Sequence, residues 1–209
     1  MFAKEKQKGS GRVMPLVYTN IVYASIFGGI LLIWSTSELA GPARWHGNDG
    51  AKKRDRGSLL VATLSGLLGL LFFFLLPLLC PVTTITWRQP LVFCAGIVLI
   101  LLGSSLRWYA ISTLGRFFTG SVVIQAGQRV IQHGPYRYMR HPSYTGILVV
   151  VAGIGLMMTN WASLCSITLG LLVGLLYRIS VEERVLKQEL GQPYEEYMRH
   201  TRRLLPFIF

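Results

Sequence analysis

The chain has 209 residues, 52% of them apolar and only 14% charged, with 21 Lys and Arg against 9 Asp and Glu. Soluble domains carry about 25% charged residues, and the mean hydropathy here is +0.47. A water-soluble domain, a disordered chain, a coiled coil and a disulfide-rich secreted fold are excluded. Four runs, Val13–Ser37, Gly57–Trp87, Gln89–Leu106 and His141–Tyr177, contain no Lys, Arg, Asp or Glu. Such lengths suit a bilayer core of about 30 Å, which takes about 20 helical residues.

In chain order, Val13–Trp34 reads as the first membrane helix. It is too long for a signal-peptide core and has no A-x-A cleavage site. Gly57–Cys80 reads as the second, with Pro77 and Pro81 bending or closing its end. Pro90–Leu106 is the third, running on toward Tyr109. The His141–Tyr177 run has 37 residues, about 55 Å as one helix, so it folds back at Thr159-Asn160-Trp161 into two short antiparallel helices. The fold expected is an all-α integral membrane protein with about five transmembrane helices, the last two a hairpin. Cys80, Cys94 and Cys165 show no metal or disulfide spacing and read as buried packing residues; no metal site is expected. Gly170-x-x-x-Gly174 is a helix-packing pattern.

Five spans place the termini on opposite sides. Of the 21 basic residues, 16 fall in the 35–57 loop, the 107–140 loop and the C-terminal tail, and 5 on the other side. The positive-inside rule makes the first side, and the C-terminus, cytoplasmic. Charge that hugs the membrane in this way faces anionic lipid headgroups, not nucleic acid.

The polar residues collect in two places. Between Asp55 and Glu182 no acidic residue occurs; then Glu182, Glu183, Glu189, Glu195 and Glu196 arrive together. Arg178 and Glu182 share a helical face by their i,i+4 spacing, and taken alone they read as an interfacial ion pair. Gly191 and Pro193 end that helix and open another. Glu195 and Glu196 fall in its first turn, and Arg199, Arg202 and Arg203 near its end, the order the helix dipole favours. The second centre is Gln128–Tyr144. Gly134-Pro135 marks a turn, and Pro142 starts the fourth span, so His141 and Ser143 sit at a helix N-terminus whose outward N–H groups suit a carboxylate. Tyr136, Tyr138 and Tyr144 also read as interfacial aromatics, and His133 and His46 as plain interfacial residues. There is no Rossmann glycine fingerprint and no Walker pattern.

Together, Gly134-Pro135-Tyr136-x-x-x-Arg140-His141-Pro142-Ser143-Tyr144-x-Gly146, Arg178-x-x-x-Glu182-Glu183-x-x-Leu186 with Gly191, Tyr194 and Tyr197, and the closing Arg202-Arg203-Leu204-Leu205-Pro206 resemble the isoprenylcysteine carboxyl methyltransferase family. That family lies within a wider group that includes membrane phospholipid methyltransferases. The resemblance covers Gly127–Phe209. It implies an enzyme using S-adenosylmethionine without a Rossmann domain, acting on a lipophilic acceptor at the bilayer. Residues 1–106 then form a three-helix membrane region and 107–209 the catalytic region, its cytoplasmic cofactor site built from the 107–145 loop and the C-terminal helices.

The resemblance places the cofactor contacts on Gln128, Arg129, Val130, Ile131, Tyr136, Arg140, His141, Pro142, Ser143, Tyr144 and Glu182, and the substrate contact on Arg178. Arg178 and Glu182 are the catalytic pair. It departs at Gln128, where many relatives carry histidine, and at Val130-Ile131, which replace Leu-Val. The favoured acceptor is the carboxylate of a prenylcysteine or similar isoprenoid; a phospholipid amine is the alternative. Two other classes stay open at this point: an NADPH-dependent sterol-type reductase, which shares an Arg-His-Pro segment, and a non-enzymatic membrane protein.

Overall fold

The computed structural model of the chain describes residues 13–43, 57–118 and 127–204. The basic N-terminal tail, residues 44–56 with His46, residues 119–126 of the second loop and Leu205–Phe209 lie outside the described residues.

The described residues form seven α-helices: α1 Leu16–Thr19, α2 Ile21–Ala43, α3 Ser58–Leu79, α4 Gln89–Leu114, α5 Pro142–Met157, α6 Trp161–Leu190 and α7 Gln192–His200. Among them α2, α3, α4 and α6 are long and apolar enough to cross a membrane. The fifth expected span, α5, has 16 residues, about 24 Å, so it falls short of the hydrocarbon thickness by itself.

Helix ends follow local backbone chemistry. Asn20 adopts an extended conformation that separates α1 from α2, and its side chain accepts a hydrogen bond from the Val22 amide at 2.9 Å. The first helix is therefore split within a run that showed no polar break strong enough to predict it. α4 continues to Leu114 before Gly115 stops it at φ +56°, so Arg107 belongs to a helix and not to the loop expected from it. The 142–190 segment turns back where predicted. Thr159 takes φ +52°, and the Asn160 side chain caps α6 by accepting from Ser163 N at 3.0 Å. α6 itself runs well past Arg178 to Gly191, which ends it at φ +60°, so the hairpin arms are unequal rather than both short. α7 ends at His200, leaving Arg202 and Arg203 beyond it in an extended segment.

Two glycine-lined crossings hold the bundle. On α4 and α5, Gly96 faces Gly153 and Gly103 faces Gly146; a Cβ on Gly96 would meet the Gly153 carbonyl at 2.6 Å, and one on Gly103 the Gly146 carbonyl at 2.6 Å. On α3 and α6, Gly69 and Gly170 meet likewise: a Cβ on Gly170 would lie 2.8 Å from the Gly69 Cα. Small residues allow this backbone approach, and dispersion and interhelical contacts replace the hydrophobic drive that lipid removes. Phe73 and Phe93 fill the space between, where Phe27 and Tyr23 of α2 join them; the Tyr23 ring stands edge-on to Phe93 at 5.0 Å. The cysteines are a correction: Cys80, Cys94 and Cys165 are all exposed on the outer surface, because the interior positions at these helices are taken by glycine and aromatic residues.

Replacing Gly96 by alanine drives a methyl into backbone, and overpacking of this kind costs about 1–3 kcal/mol. Gly28 has open space around its Cα, so Gly28→Ala gains about 0.5–1 kcal/mol of helix propensity. Thermal unfolding in detergent is expected to move in opposite directions for the two variants.

Candidate active site

The polar residues gather at one end of the bundle, where α3 and α5 begin and α4 and α6 end. The segment after α7 ties this end together through its backbone. Arg140 N donates to Arg202 O at 2.7 Å, His141 N to Arg203 O at 3.0 Å, and Thr145 Oγ1 to Leu204 O at 2.6 Å. Tyr197 of α7 donates its hydroxyl to the Tyr136 carbonyl at 2.7 Å. The amides of Tyr144 and Thr145 turn to the His141 carbonyl. The outward N–H groups expected around His141 are therefore largely engaged within the fold.

Glu183 is the ionic centre of this arrangement. It is 4% exposed and accepts from Arg140 Nε at 2.7 Å and from Arg203 Nε at 3.0 Å, with His141 Nε2 at 3.4 Å. Arg140 also donates to the carbonyls of Met198 and Thr201. A buried carboxylate needs such partners, since unpaired it would lose several kcal/mol of solvation. The environment differs one residue earlier in the helix: Glu182 keeps 29% of its side chain exposed.

Glu182 lines a cavity of about 310 Å³, within the range typical of small-molecule sites. Tyr144 sits in the same wall. It donates its hydroxyl to Glu182 Oε2 at 2.8 Å and accepts from Arg178 Nε at 2.8 Å. The His141 ring stacks on that of Tyr144 at 5.5 Å, with its Nδ1 3.9 Å from Glu182. The remaining wall is apolar on the side of Leu59, Ala62, Ile147 and Leu175. Burial pushes the phenols of Tyr136, Tyr194 and Tyr197 up, and the Glu182 charge adds to this at Tyr136 and Tyr194. All three remain neutral hydroxyls at physiological pH.

Of the residues singled out from sequence, Gln128, Arg129, Val130, Ile131, Tyr136, Arg140, His141, Ser143, Tyr144, Arg178 and Glu182 line this one cavity. Pro142 does not; it is fully buried as the first residue of α5. Arg140 reaches the wall with its guanidinium already committed to Glu183. Tyr138 and His133 are exposed and outside the cavity, and Glu195 and Glu196 lie on the exposed face of α7. Sequence reasoning missed Arg107, which lines the cavity from α4, and Glu38, which pairs with it at 2.8 Å. It also missed Tyr194 and Tyr197 as cavity residues, although their spacing from Gly191 was visible.

Glu183→Ala strands Arg140, whose side chain is 8% exposed, and breaking a buried pair in this way costs about 3–5 kcal/mol. A large fall in melting temperature is expected, with faster proteolysis of the C-terminal segment. Glu182→Gln at its part-exposed position is expected to stay within about 0.5 kcal/mol of the parent.

Residues 96–188 match the isoprenylcysteine carboxyl methyltransferase (ICMT) family. The probable protein-S-isoprenylcysteine O-methyltransferase of Oryza sativa subsp. indica is 34% identical over 190 residues, which is 88% of this chain and 96% of that protein. Protein-S-isoprenylcysteine O-methyltransferase B of Arabidopsis thaliana is 36% identical over 115 residues, 54% of this chain and 58% of its own length. Among solved structures, the eukaryotic intramembrane Ras methyltransferase ICMT superposes with a TM-score of 0.53 at 28% identity. That match covers 70% of this chain and 52% of the solved one, so this chain spans about half its length. The chain belongs to the isoprenylcysteine carboxyl methyltransferase family and is an integral membrane protein.

Proposed function

We propose that the chain transfers a methyl group from S-adenosylmethionine to the carboxylate of a prenylcysteine or a similar isoprenoid-tailed acid. The observation that carries this reading is the Arg178–Tyr144–Glu182 bridge in the wall of a cavity that is polar on one side and apolar on the other.

The residues present fit the cofactor. Its sulfonium and ammonium groups call for an anion, and Glu182 is a part-exposed carboxylate in the wall. Its carboxylate calls for a cation, and Arg129 stands exposed at the rim. Val130, Ile131 and Tyr136 offer an apolar surface for an adenine ring. When bound, S-adenosylmethionine supplies an electrophilic methyl group. Arg178 presents a planar fork suited to a carboxylate, and Tyr144 holds it at a fixed distance from Glu182. A carboxylate acceptor is already ionised at pH 7, so no side chain has to remove a proton. The work left to the protein is alignment and exclusion of water, for which Leu59, Ala62, Ile147 and Leu175 form the dry wall. An amine acceptor would need a base. Glu183 is committed to Arg140, Arg203 and His141, so of that pair only Glu182 could be that base, and the cofactor's cationic groups already call on it.

Glu182→Gln removes the anion while keeping the shape, and is expected to weaken S-adenosylhomocysteine binding by about 1.5–3 kcal/mol, the range for hydrogen bonds to charged groups. Arg178→Lys keeps the charge and loses the fork, so cofactor binding is expected to survive while turnover of a carboxylate acceptor falls. Calorimetric titration followed by assay of base-labile methyl product tests both. Equal loss of cofactor affinity in the two variants would reduce the pair to a structural bridge, and a base-stable product would move the acceptor to an amine.

The same reading puts the site at the cytoplasmic face, with α5 completing five crossings. The chain direction alternates from α2 to α6, and 16 of the 21 basic residues fall in sequence between α2 and α3, from Arg107 to Arg140, or from Arg178 onward. A reporter fused after Phe209 is expected in the cytoplasm and one before Met1 outside. Both on one side would sink the five-span topology.

A further inference from the structure

Two charged side chains face each other deep between helices that otherwise present lipid-compatible surfaces. Glu38 lies near the end of α2, and Arg107 lies within α4, 9% exposed. Arg107 Nε donates to both Glu38 oxygens, at 2.8 and 2.9 Å, and Nη2 lies 2.8 Å from Oε2. The other arm of the guanidinium points elsewhere: Nη1 donates to the Ser143 carbonyl at 3.3 Å. The Arg107 stem has little freedom, because it stands at the Gly103–Gly146 crossing. A Cβ on Gly146 would come within 2.8 Å of the Arg107 Cβ. Arg107 also forms part of the cavity wall.

Ser143 is the second residue of α5, directly before Tyr144 and two after His141. The first turn of α5 begins with a proline, which has no amide to offer, and is followed by Gly146, which has no side chain to wedge against α4. Arg107 gives that turn a polar tether to α4. We propose that Arg107 is a positioning residue for methyl transfer. It fixes the first turn of α5, and through it the Tyr144 hydroxyl, in register with Arg178 and Glu182 on α6, while Glu38 orients and neutralises the guanidinium. This rests on the methyltransferase reading of the cavity.

The planar fork is essential to the idea, because one group must serve a carboxylate and a carbonyl at once. Arg107→Lys keeps the charge opposite Glu38 without reaching both. The exchanged pair Glu38→Arg/Arg107→Glu restores opposite charges between α2 and α4 but supplies no donor to Ser143. Both are to be compared with the parent protein in detergent by thermal unfolding and by methyl transfer to a prenylcysteine analogue.

The exchanged pair is expected to melt close to the parent while its kcat falls about 10- to 100-fold, the scale of an ångström-level misplacement. Its KM for S-adenosylmethionine is expected to change less than kcat. Parental kcat in the exchanged pair would make Glu38–Arg107 a helix staple and overturn the proposal. Where the exchanged pair fails to fold, Arg107→Lys decides: parental kcat overturns the proposal, and a reduced kcat with an unchanged melting temperature supports it. A parent that transfers no methyl group overturns the methyltransferase reading and this role with it. A parent that transfers while the exchanged pair matches it overturns the role of Arg107 alone.

Discussion

The buried carboxylate of Glu183 is the constraint around which the functional end of the molecule is arranged. It draws Arg140 and His141 from the segment before α5 and Arg203 from the segment after α7 onto one point of α6. Arg140 and His141 reach it with their backbone amides already paired to the tail, Arg140 N to Arg202 O and His141 N to Arg203 O. Ionic and backbone bonds are therefore mutually dependent, and neither set has a geometry without the other. Successive residues on a helix are turned by about 100°, so fixing Glu183 toward the tail necessarily aims Glu182 elsewhere. It aims Glu182 into the cavity. Two adjacent glutamates thus stand in opposite environments, one buried and holding the chain together, one part-exposed in the cavity wall.

The glycine crossings make that aim stable. With α4 against α5 and α3 against α6 at backbone contact, a sliding displacement would force carbonyls and α-carbons into one another. Interiors of this density are bistable or rigid rather than softly deformable. The helix ends can then carry polar groups at defined separations although no water-driven hydrophobic collapse holds the helices together inside lipid.

What was legible from the sequence was what local backbone chemistry controls. Thr159-Asn160 turned the last long run back, Gly191 ended α6, and Pro142 opened α5, because caps and breakers act over a few residues. The grouping of Gln128–Ile131, Tyr136, His141, Ser143 and Tyr144 with Arg178 and Glu182 was legible through the family resemblance, which carries long-range information that periodicity lacks. The Glu38–Arg107 pair was not, since its members are 69 residues apart and Arg107 stands at the edge of an uncharged run, where it looks like a loop cation. The job of Glu183 was equally hidden: nothing in two consecutive glutamates says which one is buried. The tail was visible as Arg202-Arg203, yet what positions it is largely its carbonyls, and a backbone carbonyl has no signature in the residue name.

Tyr144 shows how few atoms the arrangement needs. A guanidinium has donors only and a carboxylate acceptors only, whereas a phenol has one proton and free lone pairs. Placed between Arg178 and Glu182, the hydroxyl can satisfy both in one orientation alone, its proton toward Glu182 and its oxygen toward Arg178. That orientation is dictated by its neighbours, so no proton position is left to chance at the junction of the two functional groups. The bridge comes from α5 and the groups it joins come from α6, so the accuracy of the site is the accuracy with which those two helices are registered. That registry is set at three places: the Asn160-capped turn at one end, the Gly103–Gly146 crossing that holds α5 to α4, and the Glu183 cluster at the other end. The cavity with Tyr144, Arg178 and Glu182 in its wall sits beside the last of these.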